Sequence, residues 1–222
     1  MASGSNDNTI KIWNIASQQV NCECTLDDRG SGYIFCLEEL KDDRNENLLL
    51  SGSFDRKIRA WDITKKVVMK IFEGHADWVS VIKLIPNNCP GQFVSGSYDK
   101  TIKIWDIRSN CCKQTLIGHT DYVIDLEVIS KKTKSDTHQS STTIISCSYD
   151  KTIRCWHDDG SIRVFNELTA NLTCLKSTES GEHVLSGDKD GSIKVWDVNT
   201  GECVNTIFTE AYVTRLEICP IK

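Results

Sequence analysis

Three residue types that can form a hydrolytic triad, Ser, His and Asp, recur at regular intervals in this chain. In the set His75, Ser95 and Asp99, the carboxylate could orient the imidazole, and the imidazole could activate the hydroxyl. The same set returns further along the chain as His119, Ser146 and Asp150. A nucleophilic site is normally built once, so repetition in register favours a structural role for these side chains over catalysis.

Both sets lie around a thirteen-residue phrase that occurs five times in the 222 residues. Its copies read SGSNDNTIKIWNI, SGSFDRKIRAWDI, SGSYDKTIKIWDI, SCSYDKTIRCWHD and SGDKDGSIKVWDV. Each copy places a Ser four residues before an Asp and a Trp six residues after it, which puts the tryptophans at Trp13, Trp61, Trp105, Trp156 and Trp196. Intervals of 48, 44, 51 and 40 residues between them suit a four-stranded propeller blade of about 40–45 residues.

The elements that position these residues follow from the phrase itself. An apolar run such as Leu48–Leu50 enters a small Ser-Gly-Ser, a polar turn with Asp follows, and an alternating strand such as Ile102–Trp105 leaves it, which predicts a hairpin. The turn Asp can accept hydrogen bonds from the amides just after it.

Two further strands are predicted around each hairpin. One follows the Trp, as at Cys112–Leu116, and one precedes the hairpin. The preceding strand has apolar residues three positions apart, which predicts a bulge in each copy: Ile34/Leu37, Val79/Ile82, Val123/Leu126, Leu172/Leu175 and Val213/Leu216.

The eleven cysteines do not indicate a disulfide or metal protein. Their number is odd, the chain opens with no apolar signal segment, and no C-x-x-C pair occurs, so neither a secreted scaffold nor a zinc site is expected. Cys112 and Cys203 lie seven residues after a Trp, where Val20 and Val68 stand in other copies. We therefore expect these two cysteines to be small buried hydrophobic residues.

Charge and motifs exclude several classes of function. Lys and Arg total 26 against 31 for Asp and Glu, for a net charge of −5, so direct nucleic-acid binding is not expected. No apolar run reaches the roughly 18 residues of a membrane span, and a cytoplasmic or nuclear protein is expected. Nucleotide-binding glycine motifs are absent, and Asp188–Gly191 lacks the later acidic ligand of a calcium loop, so no cofactor or metal is predicted.

With its Trp-Asp endings and the pairs Gly74-His75 and Gly118-His119, the chain resembles the WD-repeat β-propeller family. The resemblance implies an all-β propeller of five four-stranded blades, with residues 1–222 as a single domain. The blades could close into a five-blade ring or form part of a larger propeller. The former would pair a strand at Val213–Ile218 with the N-terminal strand at Met1–Ser3.

The resemblance also implies a role for the recurring polar residues. In the family, the His of the Gly-His pair, the strand Ser, the turn Asp and the Trp indole form a hydrogen-bonded tetrad inside the blade. The tetrads here would be His75/Ser95/Asp99/Trp105 and His119/Ser146/Asp150/Trp156. Gly30, Leu168 and Thr209 replace His in the other copies, so we expect those blades to be looser and held mainly by packing.

The function implied by the resemblance is a non-enzymatic scaffold that binds proteins or peptides within a larger complex. An enzyme would need one copy with an acid, base or ligand absent from the others, and no copy has one. Other possibilities are a substrate-recognition subunit of a ubiquitin ligase, which predicts several arginines on one face, and a fragment of a longer WD-repeat regulatory protein.

Aromatic residues indicate where a partner would bind. In the family, the loop before each innermost strand and the turn of each hairpin open on the same face. Residues directly before each innermost strand or turn Asp include seven aromatic side chains: Tyr33, Phe54, Trp78, Tyr98, Tyr122, Tyr149 and Tyr212. Turns normally favour small polar residues, whereas interfaces are enriched in Tyr and Trp. Asp77 and Asp121 add negative charge that would suit a basic peptide.

Two polar stretches are predicted to be exposed loops or turns. They are Glu38–Glu46 and Lys131–Ser141, and both lack the apolar alternation of a half-buried strand.

Overall fold

The computed structural model describes residues 1–15, 20–27, 30, 32–41, 47–86, 91–132, 140–166 and 168–219. These residues form nineteen β-strands arranged in five sheets. No helix in the described part of the chain is long and apolar enough to span a membrane.

Strands follow one another in chain order within each of the first three sheets. The first sheet contains β1 (Ala2–Gly4), β2 (Thr9–Asn14) and β3 (Asn21–Asp27). The second contains β4 (Ile34–Lys41), β5 (Asn47–Ser53), β6 (Ile58–Asp62) and β7 (Val67–Phe72). The third contains β8 (Val79–Leu84), β9 (Gln92–Ser97), β10 (Thr101–Asp106) and β11 (Cys111–Ile117).

The last two sheets repeat the same order. The fourth contains β12 (Val123–Lys132), β13 (Ser140–Ser148), β14 (Ile153–His157) and β15 (Ile162–Phe165). The fifth contains β16 (Leu172–Ser177), β17 (His183–Asp188), β18 (Ser192–Asp197) and β19 (Cys203–Phe208). The predicted all-β architecture of consecutive propeller blades is confirmed, with three strands in the first sheet and four in each of the others.

The chain divides into two compact units, with the first three sheets in one and the last two in the other. In the first unit, one core cluster joins the second and third sheets around Phe72, Phe93 and Trp105. In the second unit, a cluster including Ile145, Phe165 and Trp196 joins the fourth and fifth sheets. Each sheet therefore buries apolar side chains against a neighbour, as a two-faced sheet requires. That residues 1–222 form one domain stays a prediction.

The bulges predicted in the innermost strands are confirmed in the four complete sheets. The pairing register shifts between Ile34/Cys36, Val79/Val81, Val123/Asp125 and Leu172/Cys174. A bulge places two residues opposite one and turns the following side chain to the other face. Apolar residues three positions apart can therefore both enter the core.

The strand expected at Val213–Ile218 is not formed, since residues 211–219 carry no strand. Val213 nevertheless docks like the first residue of an inner strand. Its amide donates to the carbonyl of Asp188 at 3.1 Å, and Thr173 Oγ1 donates to its carbonyl. A Cβ placed on Gly187 would lie 2.5 Å from Val213 Cγ1, much as one on Gly52 would lie 2.7 Å from Val79 Cγ1. The segment keeps the docking contact but lacks the strand pairing.

The expectation of buried cysteines in the outermost strands is wrong for Cys112 and holds only in part for Cys203, which packs against the core cluster of the second unit. Cys112 is exposed and Cys203 is half-buried, because the outermost strand of each sheet faces solvent. Both thiols contact the carbonyl two residues on, at Gln114 and Asn205. In the first sheet, Cys22 rather than Val20 pairs with Trp13, and Val20 is exposed.

The two predicted polar loops are in part strand. Residues 38–41 belong to β4, where Glu38 is half-buried and Leu40 is buried, so this part of the predicted turn is wrong. Residues 131–132 and 140–141 extend β12 and β13 and pair with each other. The remaining positions, 42–46 and 133–139, lie outside the described residues.

Gly187 lets β17 approach Val213, so we expect Gly187→Ala to destabilise the fold by about 1–3 kcal/mol through overpacking. In that background Val213→Ala removes the crowding methyl groups and should recover part of the loss. Urea unfolding of both single variants and the double variant gives the coupling energy. Additive effects would show that the close approach is not what makes Gly187 necessary.

Candidate partner-binding surface

The side chains that resembled a hydrolytic triad form a continuous chain of hydrogen bonds in the third sheet. His75 Nδ1 lies 2.8 Å from Asp99 Oδ2, and His75 Nε2 lies 2.7 Å from Ser95 Oγ. The indole of Trp105 donates to the same Ser95 oxygen at 2.8 Å. The four residues implied by the family resemblance are therefore in contact.

The fourth sheet repeats this network with nearly the same dimensions. His119 Nδ1 lies 2.7 Å from Asp150 Oδ2, and its Nε2 lies 2.7 Å from Ser146 Oγ. Trp156 Nε1 donates to Ser146 Oγ at 2.9 Å. Both serines are fully buried, so neither hydroxyl is open to a substrate, and the network serves to connect strands.

The turn carboxylates in both networks are held in the charged form. Burial acts to raise the pKa of Asp99, but hydrogen bonds from His75, Thr101 and the Ala76 amide outweigh it and hold that pKa well below its usual range. Asp150 shows the same balance, with His119 and Thr152 as its side-chain donors. A carboxylate saturated with donors in this way is a structural anchor for its turn.

The second sheet lacks the His and was expected to be held mainly by packing. Its turn Asp instead has a charged side-chain partner. Arg59 is buried and binds Asp55 with both ends of its guanidinium, at 3.1 and 2.6 Å. Ser53 Oγ also donates to this carboxylate. A bidentate, charge-assisted contact thus takes the place of the imidazole at Asp55.

The fifth and first sheets use other replacements. In the fifth, Asp188 accepts the amides of Asp190 and Ser192 at 3.0 and 2.8 Å, so the buried carboxylate stands two positions earlier than the phrase predicts. In the first sheet, Asp7 accepts both the amide and the hydroxyl of Thr9. Hydrogen bonding to an Asp at the turn is thus retained in all five sheets.

Each hairpin turn contains a residue in the left-handed backbone region. These residues are Asn8, Arg56, Lys100, Lys151 and Gly191, with φ between 63° and 83°. Gly and Asn suit this conformation, whereas a long side chain adopts it at a cost of roughly 1–2 kcal/mol. Arg56, Lys100 and Lys151 are exposed, so three of the turns present a cation despite the strain.

The two kinds of aromatic position adjoin each other, as predicted. The amide of the residue before the turn Asp donates to the carbonyl of the residue before the innermost strand: Phe54 to Tyr33, Tyr98 to Trp78 and Tyr149 to Tyr122, at 2.9 to 3.0 Å. This backbone bond places each pair side by side at the turn end of its sheet.

In the first unit these rings merge into one group, which we call the aromatic shelf: Tyr33, Phe35, Phe54, Trp78 and Tyr98. Trp78 lies at its centre, with ring centroids 4.6 Å from Phe54, 5.1 Å from Tyr98 and 5.6 Å from Phe35. Tyr33 meets Phe54 edge to face at 5.6 Å. Tyr33, Phe35 and Phe54 are each at least 40% exposed, which leaves a broad aromatic surface open to solvent.

In the second unit the aromatic positions form a smaller group. Tyr122 and Tyr149 lie 6.1 Å apart, and Lys189 Nζ lies 4.4 Å above the Tyr149 ring. Tyr212 is largely exposed and lines an open groove with Lys189 and Glu210. Tyr212 has no aromatic contact among the described residues.

The acidic residues of the predicted surface serve partly local needs. Asp77 and Asp121 each accept the amide of the following residue at 2.8 Å.

Two residues of the surface, Phe35 and Arg59, were not predicted from the sequence. Phe35 follows the first residue of β4, where alternation around the bulge predicts no fixed direction, and Arg59 stands among ordinary strand cations. Among the described residues, no cluster of His, Cys, Asp and Glu could hold a metal ion.

A family model described as WD domain, G-beta repeat matches this chain five times, over residues 1–14, 21–62, 66–106, 110–157 and 160–197. The matches are out of phase with the sheets. Residues 66–106, for example, contain the outermost strand of the second sheet and three strands of the third. Each full match therefore spans parts of two sheets.

Several curated proteins are similar along most of the chain. Nuclear distribution protein nudF 1 of Talaromyces marneffei is 28% identical over 93% of this chain and 48% of its own length. Autophagic-related protein 16.2 of Caenorhabditis elegans is 29% identical over 97% of this chain and 38% of its own. WD repeat-containing protein pop1 of Schizosaccharomyces pombe is 24% identical, over 72% and 20%. The chain thus spans less than half the length of these relatives.

The networks predict unequal tryptophan contributions. Trp105→Phe and Trp156→Phe should each cost about 1–3 kcal/mol, because the buried Ser at the centre of the His–Ser network loses its indole donor. Trp196 also donates to its strand serine, Ser186, at 2.9 Å, but no His completes that network, so Trp196→Phe should cost less. Thermal or urea melts of the three variants decide this, and equal losses would contradict it.

The depressed pKa values of Asp99 and Asp150 predict loss of stability in acid. In the unfolded chain these groups bind protons near pH 4, whereas the native pair resists protonation, so their contribution is full above that pH and falls as pH drops below it. The double variant Asp99→Asn, Asp150→Asn should be less stable at neutral pH but should lose less on acidification. If the free energies of unfolding of the wild type and the double variant fall in parallel between pH 6 and about pH 3, the two carboxylates are not the cause of the acid instability.

Proposed function

The chain belongs to the WD40 repeat family, and from that membership we propose that it is a non-enzymatic scaffold that binds protein or peptide partners through the aromatic shelf. Five rings in mutual contact, three of them substantially exposed, form a solvent-facing apolar patch of a kind that marks interaction sites. This contiguous patch carries the proposal.

The proposal covers the aromatic residues named from the sequence as two separate sets, with Phe35 added to the first. The first unit carries Tyr33, Phe54, Trp78 and Tyr98, and the second carries Tyr122, Tyr149 and Tyr212. Tyr and Trp give large contact areas with few rotatable bonds and dominate binding energies at interfaces. The shelf supplies Trp78 and Tyr98, and the smaller group supplies Tyr122 and Tyr149. Asp77 and Asp121 flank them, and they motivated the expectation of a basic partner.

The absence of catalysis is proposed on the pattern of the polar networks. The buried Ser and His recur in two sheets, with Arg59 or other donors replacing the His elsewhere. Such variation fits a role in holding turns, because each replacement preserves a hydrogen-bonded Asp but not a nucleophile and base. We also propose a cytoplasmic or nuclear setting and membership of a multiprotein complex.

A ubiquitin-ligase recognition subunit is the second candidate. It predicts arginines that converge on one face, and Arg56 and Arg59 both line one open groove beside the shelf. This pair of arginines is the reason for the second candidate, although Arg59 already binds Asp55.

Tyr98→Ala and Tyr149→Ala are expected to abolish partner capture while changing the melting temperature little. The side chains lie at turn ends, and their backbone bonds remain after truncation. Affinity purification with mass spectrometry compares the wild-type protein and each variant, with Phe208→Ala as a matched truncation of an exposed ring outside the proposed surface. Unchanged capture in both variants would refute the assignment, as would unfolding of either one.

A further inference from the structure

In the second sheet Arg59 replaces the histidine as the partner of the turn Asp. The loop position of that histidine holds Gly30, which lines an opening. Gly30 stands at the position equivalent to His75, three residues before the residue that precedes the innermost strand. A Cβ placed on Gly30 would meet no atom of the described residues within 4 Å. The space that an imidazole fills beside Asp99 is therefore not filled from Gly30 beside Asp55.

This opening is part of a groove that adjoins the aromatic shelf. Phe54 and Trp78 provide its apolar wall, and Arg59 lies buried beside Asp55 at its base. The other lining residues are Gly30, Arg56, Lys57, Ala76 and Asp77. A side chain entering the groove would contact aromatic rings and charged groups at once.

The carboxylate at the base of the groove is already saturated. Asp55 accepts the Lys57 amide at 3.1 Å, both ends of the Arg59 guanidinium and the Ser53 hydroxyl. Together these donors outweigh burial and hold the pKa of Asp55 below its usual range. An incoming cation would find this acceptor occupied, so Asp55 gives the groove little affinity for a basic side chain.

Hydrogen-bond donors, in contrast, remain available. Arg56 is exposed at the turn tip, and no side chain in the described ranges pairs with its guanidinium, which has five N–H donors in a planar fork. Lys57 contacts Glu73 at 2.7 Å, but both side chains are exposed, where such pairs exchange readily with other ions. Among the described lining residues the other carboxylate is Asp77, which accepts the Trp78 amide.

We propose that this groove binds an acidic peptide segment, with a partner's Asp or Glu carboxylate on Arg56 and Lys57 and an adjacent apolar side chain on Phe54 and Trp78. This assignment rests on the proposed scaffold function and reverses the charge expected for its partner. Arg56 adopts its left-handed backbone, with φ of 72°, at a cost that Gly or Asn would avoid. Lys100 and Lys151 share this conformation, so the proposal rests on the position of Arg56 in the groove and not on its strain.

The test is selection from a random heptapeptide display library on immobilised full-length protein. Three variants accompany the wild type: Arg56→Glu, Arg56→Gly and Lys151→Glu. Glycine suits the left-handed turn and removes the charge without strain, so Arg56→Gly separates loss of the ligand from misfolding. Lys151 occupies the same turn position in the fourth sheet, with φ of 63°, beside a His-filled network, and is the matched control.

The wild type and Lys151→Glu are expected to enrich Asp or Glu next to an aromatic or aliphatic residue. Arg56→Gly should lose the acidic enrichment, and Arg56→Glu should replace it with Lys or Arg. For a selected peptide made synthetically, fluorescence polarisation should show about tenfold weaker binding to Arg56→Gly, equivalent to about 1.4 kcal/mol. No variant should melt at a lower temperature than the wild type.

Several results would overturn the proposal. They are enrichment of basic peptides by the wild type, equal effects of Arg56→Glu and Lys151→Glu, and binding only when a phosphoserine replaces the carboxylate in a second library. If acidic peptides fail while Tyr98→Ala still loses its cellular partners, the acidic groove is wrong and the scaffold function stands. If both fail, the shelf is not the binding surface.

Discussion

The bond from the Trp indole to the strand serine is the constraint on which every sheet depends. It spans 2.8 to 2.9 Å in all five sheets, from Trp13 and Ser3 to Trp196 and Ser186. A buried indole N–H without an acceptor is costly, and so is a buried hydroxyl, so the two positions cannot change independently. Their pairing fixes the register of the hairpin, and the turn, its Asp and the exposed tip follow from that register.

Every sheet keeps hydrogen-bond donors around the carboxylate at its turn, but the residue that supplies them differs from sheet to sheet. The requirement is a set of donors around a carboxylate at the turn. A neutral or charged imidazole meets it in two sheets, the Arg59 guanidinium meets it in another, and backbone amides meet it at Asp188. Where the donor is Arg59 rather than an imidazole from the preceding loop, Arg59 and the turn residues line an open groove.

Period, strands and bulges could be predicted from the sequence, because each depends on the spacing of residue types within about forty residues. The tetrads of His75 and His119 were predictable through the resemblance. The missed features depend on contacts between sheets or on solvent exposure. Cys112 has the apolar character of a core residue but lies on an outermost strand, Phe35 joins the shelf through a ring from another sheet, and Arg59 looks like its strand equivalents Lys103 and Lys194.

The phase difference between the matched repeats and the sheets has a consequence for how such a chain can change length. Residues 66–106 carry β7 to β10, so excising that stretch would join β6 to β11. Because β11 is also an outermost strand, it could complete the sheet of β4 to β6, and no half-built sheet would remain. A matched segment and a sheet thus have different boundaries but the same strand content, and removal of either would leave the remaining sheets whole.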